Sequence, residues 1–286
     1  MNGNRISIFR ELGLLLLEGI VILLGELRNL IISLLFPLIA AAVTVWIAGE
    51  NMFVNCESTK SACFILVCAA IWGGLFNSIQ VVVKERDNVK RDYVSGALRI
   101  GCFTASRAIL QFCLCAIQAA ILCVSFIGIK EFYDNELPEA GLIFDNALIE
   151  YYITIFQIMY AADTMGLMIS CFVKSEQLAS QLSPYILIVQ LLFSGVLFPM
   201  EGAASSVSAL MLSRWGMEAL GSTSNLNELP LRLQNDFPMI PHEADEAFQY
   251  AVEHLQEVWL ILVVFVIVPL IIGTVCLYGV KKDSRD

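Results

Sequence analysis

Six long apolar stretches, separated by short polar segments, form the main pattern along the chain. Each stretch contains about the 20 largely apolar residues that an α-helix needs to cross the hydrocarbon core of a bilayer. The pattern therefore predicts an all-α membrane protein with six transmembrane helices, over residues 30–48, 62–83, 103–129, 148–173, 182–199 and 258–278.

The first apolar region, residues 6–27, differs from these six because acidic residues interrupt it. Glu11 and Glu18 are seven residues apart, which places them two turns apart on one stripe of a helix. This spacing predicts an amphipathic helix along the membrane interface, within an amino-terminal region of residues 1–29. The acidic residues and the lack of a small-x-small cleavage site oppose the rival interpretation, a cleaved signal peptide. A seventh span is a further alternative.

The distribution of charge predicts the orientation of the membrane domain, residues 30–280. With the amino terminus in the cytoplasm, most of the seventeen Lys and Arg residues fall on one side of six spans. The positive-inside rule then places both termini, including a tail of residues 281–286, in the cytoplasm of a multi-pass protein of the cell membrane. The net charge of −10 reflects an acidic outer surface that includes the extracytoplasmic segment 200–257. It therefore indicates neither a basic ligand nor a nucleic-acid partner.

The largest predicted cytoplasmic loop, residues 84–101, concentrates basic residues between two apolar stretches. In a helix, Arg86 and Lys90 lie one turn apart. Gly96 then ends the helix. A short charged helix of this kind suits the docking of a soluble partner. Basic residues that serve only to fix the topology are the alternative.

The residue order in this loop resembles the pattern of a known family. ABC type-2 (ABC-2) exporter permeases carry an ER…(K/R)RE…G…Y…SK pattern after their second span. This chain has a similar order of residues: Glu85-Arg86, Lys90-Arg91-Asp92, Gly96, Phe103 and Ser106-Arg107. The resemblance is closest to the G-subfamily-like transmembrane domains. Three further segments resemble this family in order: RELGLLLLEGIVILLGELRN (10–29), MGLMISCFVKSEQLASQLSPYILIVQLLFSGVLFPM (165–200) and LSRWGMEAL (212–220).

The chain also departs from the family pattern. Asp92 and Phe103 stand where relatives commonly have Glu and Tyr, and both changes are mild. The amino-terminal helix, which corresponds to the connecting helix of relatives, has Glu18 and Glu26 where relatives usually have basic residues. This departure puts in doubt a salt bridge between the connecting helix and Glu85.

The resemblance implies a transporter permease whose cytoplasmic loop is a coupling helix that seats in a groove on an ATPase. The sequence contains no G-x-x-x-x-G-K-[ST] motif, so ATP and Mg²⁺ are expected on the partner ATPase and no cofactor on this chain. Because the connecting helix begins close to Met1, we expect the P-loop ATPase to be a separate polypeptide. A second permease chain, identical or different, would complete the transporter. The predicted coupling residues are Glu85, Arg86, Lys90, Arg91, Asp92 and Gly96.

Candidates for the translocation pathway or the dimer seam are fewer. Asp163 is an acidic residue deep in a predicted span, where a carboxylate should face a cavity or a partner or form a structural hydrogen bond. Phe193, Leu197 and Phe198 lie near the outer end of the fifth span; in relatives this region acts as a plug between cavities, and simple helix packing is the alternative. Polar amides inside the spans are predicted to hydrogen-bond between helices, at Gln111, Gln118, Gln157 and Gln190.

The sequence gives little support for a catalytic site or a metal site. The chain has two histidines and nine cysteines without a metal-binding spacing, so we predict no catalytic residue and no metal site. Cys56 and Cys63 could form a disulfide or remain free thiols. A hydrophobic or amphipathic exported substrate is the favoured cargo, in the presence of membrane lipid. An intramembrane enzyme and a membrane anchor that recruits a soluble protein through the basic loop are the competing functions.

Overall fold

The computed structural model describes residues 7–48, 53, 55–132, 141–198, 200–229 and 245–282. Within these residues the chain is helical and contains no β-strand. The helices, numbered in chain order, are α1 (Ile8–Gly25), α2 (Leu27–Ala48), α3 (Cys56–Ser78), α4 (Val81–Val94), α5 (Ile100–Phe132), α6 (Ala147–Phe172), α7 (Glu176–Leu192), α8 (Ala203–Ser208), α9 (Leu212–Thr223) and α10 (Val252–Leu277). Two 3₁₀ turns, Glu246–Phe248 and Tyr278–Lys282, flank α10.

The predicted all-α membrane architecture is confirmed. Five segments of the described chain are long and apolar enough to cross a membrane: α2, α3 with α4, most of α5, α6, and α10 with the turn after it. The remaining predicted span, the fifth in chain order, corresponds to α7, which is apolar but has only 17 residues. The predicted amphipathic helix is α1, which is separated from α2 by a break at Glu26.

The boundaries predicted for the fifth span, residues 182–199, were too late in the chain. α7 begins six residues earlier, because the Ser175 hydroxyl accepts a hydrogen bond of 3.3 Å from the Leu178 amide and caps the helix. It ends at Leu192, and Gly195 adopts a positive φ of 79° in the turns that follow. The apolar run continues through these turns, so hydrophobicity alone extended the predicted helix too far.

The centre of the bundle is the contact between α3 and α6. Glycines make this approach close: a Cβ atom on Gly74 would lie 2.0 Å from the Met159 carbonyl oxygen. A Cβ on Gly166 would lie 2.8 Å from the Leu75 carbonyl oxygen. Small residues at these crossings let the two helix backbones pack directly, which is how membrane helices gain van der Waals contact.

The outer helices are much less buried than the central pair. Only 28% of the apolar window of α2 and 22% of that of α10 is buried, compared with 67% for α3 with α4 and 61% for α6. Exposed apolar side chains such as Trp46 and Leu260 lie on these outer helices. The exposed faces are therefore available to lipid or to another chain.

Both cysteines considered for a disulfide are free thiols. Cys56 and Cys63 lie on α3, and seven residues of helix separate them by about 10 Å along its axis, which is beyond the reach of a disulfide. The Cys63 thiol instead lies 3.3 Å from the Ser224 hydroxyl.

We expect Gly74→Ala to destabilise the protein by about 1–3 kcal/mol, because the added methyl group would overlap the backbone of α6. The measurement is the free energy of unfolding in detergent. Gly128→Ala is the matched control, since Gly128 also lies in a long helix but has no atom within 4 Å of its would-be Cβ. Equal stabilities of the two variants would contradict the close α3–α6 packing.

Candidate functional site

Helix α4 is a short amphipathic element at the end of α3. Its sequence changes from three valines to the charged stretch KERDNVKRD, and it ends at Val94. Gly96 follows with a φ of +77°, and the amides of Ala97 and Leu98 return to the Asp92 carbonyl oxygen at 2.9 and 3.1 Å. A glycine in the left-handed region after a helix end satisfies the last carbonyls and reverses the chain. The predicted helix break at Gly96 is confirmed.

The start of α4 is fixed to the end of α6. The Ser170 hydroxyl accepts hydrogen bonds of 3.0 Å from the amides of both Val82 and Val83. These amides are in the first turn of α4 and have no partner within the helix. One buried serine therefore accepts from the two amides at the start of α4 that have no partner within the helix, and it anchors α4 against α6.

Two of the predicted coupling residues face the helical bundle. Glu85 forms an ion pair of 2.6 Å with Arg107 of α5, and the Arg107 side chain is only 4% exposed. Arg86 donates to the carbonyl oxygens of Cys171 at 2.8 Å and Val173 at 3.1 Å. A cation at the carboxyl end of α6 also interacts favourably with the helix dipole. Glu85 and Arg86 thus tie α4 to α5 and α6.

The remaining predicted coupling residues lie in the last part of α4 or just after it. The Arg91 side chain is 72% exposed and bonds the Asp92 carboxylate at 3.1 Å. Lys90 is half-buried, and Gly96 is exposed in the turn after the helix. The predicted set is therefore divided between a pair that binds the bundle and a group at the end of α4, which we call the coupling surface: Lys90, Arg91, Asp92 and Gly96.

Acidic residues on α1 bind basic residues near both ends of α4. The buried Glu11 carboxylate accepts a hydrogen bond of 2.7 Å from the Arg99 amide and pairs with the Arg99 guanidinium at 3.1 Å. At the far end of α1, Glu26 pairs with Lys84 at 3.3 Å. The sequence analysis did not predict these contacts. The acidic residues of the connecting helix and the basic residues of the loop were the features that could have indicated them.

These contacts resolve the doubt about a salt bridge between the connecting helix and Glu85. Glu85 pairs with Arg107, while Glu26 supplies the acidic partner on the amino-terminal side. The Asn29 side-chain amide donates to Glu26 at 2.7 Å and, together with Lys84, lowers the pKa of that carboxyl group below its usual value. Glu26 therefore stays ionised to a lower pH than a free glutamate.

Asp163 lies fully buried on α6. Neither of its carboxylate oxygens has a hydrogen-bond partner within the described residues, and the Ser78 hydroxyl donates to its backbone carbonyl instead. The side chain is therefore neither on an exposed seam of this chain nor in a structural hydrogen bond within the described residues. An unmatched carboxyl group at this depth is costly.

The predicted bonding of polar amides between helices is confirmed at three positions, of which the first is Gln111 of α5, a donor to the Asn77 carbonyl oxygen of α3 at 3.2 Å. Gln118 of α5 donates to the Ser33 carbonyl oxygen of α2 at 3.0 Å and accepts from the Asn77 side chain of α3 at 2.6 Å. Gln190 of α7 accepts at 3.0 Å from the Ser213 amide at the start of α9. All three side chains are buried, so these bonds fix neighbouring helices to each other.

A family model described as ABC-2 type transporter matches residues 27–223, from the first residue of α2 to the last residue of α9. The match covers well over half of the 286 residues. The chain belongs to the ABC-2 transporter family. A search of curated proteins found no match. The protein is thus the membrane component of an ABC transporter, and such permeases normally pair with a P-loop ATPase.

In this ABC-2 permease, the three apolar residues that were predicted for the pathway or the dimer seam follow the end of α7. Leu197 is 52% and Phe198 is 58% exposed, whereas Phe193 is half-buried. The Phe193 carbonyl oxygen accepts a hydrogen bond of 2.8 Å from Ser208 of α8, which fixes the turn. Leu197 and Phe198 therefore present apolar side chains at the surface of the permease rather than filling its own core.

We expect Glu11→Ala to loosen α1 from the rest of the permease, because the variant loses the hydrogen bond and the ion pair to Arg99. Hydrogen bonds to charged groups contribute about 1.5–3 kcal/mol, so amide exchange in α1 should accelerate roughly tenfold or more. Hydrogen–deuterium exchange measures this change. Glu18→Ala, at an exposed glutamate of the same helix, is the matched control. The same exchange rate in both variants would argue against the anchor.

Replacement of Asp163 by Asn should change the free energy of unfolding by less than about 1 kcal/mol, since its carboxylate makes no hydrogen bond that would be lost. Glu150→Ala provides the contrast. The Glu150 carboxylate is buried and accepts from the amides of Ile143 and Phe144, so its loss should cost about 1–3 kcal/mol. A loss of similar size in Asp163→Asn would favour the structural hydrogen bond as the role of Asp163.

Proposed function

We propose that this permease is one half of the membrane part of an exporter, driven by a separate P-loop ATPase that docks on the coupling surface. The observation that carries the proposal is that the two ends of α4 differ. Glu85 and Arg86, near its start, bind the bundle, while the Arg91 side chain, near its end, is 72% exposed. A helix that is fixed near its start and exposes a charge near its end suits the transfer of movement from a soluble partner.

The anchors of α4 supply a physical route for that movement. Ser170 and the last carbonyls of α6 hold the helix at one side, and Arg107 of α5 holds it at another. A displacement of α4 by an ATPase would therefore act on α5 and α6 together. ATP-driven closure of the nucleotide-binding subunits would then shift the helices from an inward-open to an outward-open state.

A second permease chain would complete the pathway. The exposed faces of α2 and α10 and the apolar side chains of Leu197 and Phe198 support contact with a partner chain or with lipid. In the proposed arrangement, the turn after α7 meets its counterpart and separates the inner from the outer cavity. The apolar character of these surfaces favours a hydrophobic or amphipathic cargo. In the proposed transporter the spans lie in the cell membrane, and both termini of the chain lie in the cytoplasm.

The alternative is a membrane anchor that recruits a soluble protein through the same basic surface without transport. Affinity purification of the tagged chain from solubilised native membranes separates the two functions. Co-purification of a P-loop ATPase, and of a second permease chain if the transporter is a heterodimer, supports the exporter. Reproducible recovery of the intact chain without an ATPase supports the anchor.

Reversal of charge at Lys90 and Arg91 should weaken ATPase association and transport by about tenfold or more without unfolding the permease. The expected cause is repulsion at the docking surface, because Arg91 is exposed and makes no contact that anchors α4. Co-purification of the ATPase and its transport-linked ATP hydrolysis measure the effect.

The matched control is Lys60→Glu, which reverses a basic residue in the first turns of α3, at the opposite end of that helix from α4. It should leave ATPase association unchanged. Wild-type association and transport in the Lys90→Glu/Arg91→Glu double variant would exclude the coupling surface as the docking site.

A further inference from the structure

A cavity of about 400 Å³ opens among α1, α2, α5 and the junction between α3 and α4. Its volume falls in the range of about 300–1,000 Å³ that is typical of small-molecule sites. The cavity lies within one chain, and no residue of the coupling surface is among the residues that line it. It is therefore separate from the surface proposed for the ATPase.

Two charged side chains in the cavity wall are accessible to a ligand. Lys84 and Glu26 form an ion pair in which 34% of the Lys84 side chain and 44% of the Glu26 side chain are exposed. Glu85 and Arg107 also line the cavity, but they are largely buried and neutralise each other at 2.6 Å. A ligand in the cavity therefore meets one accessible cation and one accessible anion side by side.

The ion pair between Lys84 and Glu26 can accommodate a ligand. The Lys84 ammonium lies 3.3 and 3.4 Å from the two Glu26 carboxylate oxygens, which is long for a hydrogen bond between charged groups. Partly exposed pairs of this kind contribute little to stability. An ammonium also has more donors, and a carboxylate more acceptor sites, than this pair uses. The two side chains can therefore bind the opposite charges of one ligand at little cost.

The cavity is charged at one membrane surface and apolar beneath it. Glu26 directly precedes α2, which is the first span, and Lys84 follows the apolar part of the second span. Apolar residues of the wall lie farther into the membrane: Leu30 is one turn into α2, and Phe76 on α3 is eight residues before Lys84. A matching ligand therefore has its charges at the membrane surface and an alkyl part toward the hydrocarbon core.

The cavity is also open toward the bilayer. Ile22 of α1 and Phe76 of α3 line it, and they are 41% and 49% exposed. Because its volume of about 400 Å³ is smaller than a whole phospholipid, the head group and the first part of the chains would occupy it. The rest of the chains would remain among the membrane lipids. These features suit a membrane lipid better than a soluble zwitterion.

We propose that this cavity binds the head group of a zwitterionic phospholipid with a primary ammonium, a phosphatidylethanolamine. Its phosphate accepts from Lys84, and its ammonium donates to the Glu26 carboxylate. The Asn29 side chain also lines the cavity and donates to Glu26 through its nitrogen, so its amide oxygen is a further acceptor for the ammonium. Binding of this lipid requires neither an ATPase nor transport, and its failure would leave the exporter proposal intact.

Two lipids that differ only in the head-group cation test the proposal. Phosphatidylcholine with the same acyl chains has the same charges, but its trimethylammonium has no N–H donor. Native mass spectrometry of the full chain in a polyoxyethylene detergent gives both affinities. The wild-type chain should bind phosphatidylethanolamine about tenfold more tightly, because only this lipid donates hydrogen bonds to the carboxylate. Equal affinities, or tighter binding of phosphatidylcholine, would overturn the proposal.

Variants of the ion pair separate the two roles. Glu26→Gln should reduce the preference to near unity, because the charged acceptor of the ammonium is lost. Lys84→Gln should instead weaken both lipids about fivefold and keep the preference, since both lipids have the phosphate. Glu57→Gln is the matched control, because Glu57 is an exposed glutamate at the other end of α3 and does not line the cavity.

A variant that fills the cavity distinguishes this site from lipid bound elsewhere on the chain. Ser180→Trp, at an exposed residue that lines the cavity, should weaken both lipids about tenfold. A preference that survives Glu26→Gln, a preference lost in Glu57→Gln, or unchanged affinities in Lys84→Gln or Ser180→Trp would each contradict the proposed site.

Discussion

A buried arginine inside a membrane helix must have a partner, and the ion pair between Arg107 and Glu85 meets that requirement in this permease. The same guanidinium also donates to the Leu15 carbonyl oxygen of α1. One side chain thus joins α5 to both α4 and the connecting helix. Removal of either charge would leave the other buried without compensation, which costs far more than the intact pair contributes. The position of α4, and therefore of the proposed docking surface, depends on this pair.

The other helices differ in how closely they pack: α3 and α6 form a tightly packed centre, whereas α2 and α10 lie at a more exposed periphery. The glycine contacts between α3 and α6 leave no space for independent movement, because backbone packs on backbone. By contrast, most of the apolar surface of α2 and α10 is exposed. A permease needs both properties: a centre that transmits displacement as a unit, and outer surfaces that can rearrange against lipid or a second chain.

The sequence predicted the architecture better than the interactions. Apolar runs of sufficient length identified the spans, and Gly96 identified the end of α4, because both depend on local properties of the chain. The start of α7 was misplaced, since the cap at Ser175 precedes the apolar run. The bond between Glu11 and Arg99 joins residues 88 positions apart, and only the fold brings them together. The same limit applies to the unmatched atoms of Asp163, since no local pattern reveals a missing partner.

The sign of the charges around α1 has a consequence for how such permeases can be recombined. Here the acidic residues are Glu11 on α1 and Glu26 at its end, and the basic residues belong to the segment around α4, at Arg99 and Lys84. A helix with basic residues at these two acidic positions would meet both cations with like charge. The amino-terminal helix and the α4 segment of this chain are therefore matched in charge, and a chimera that exchanges only one of them would have mismatched parts.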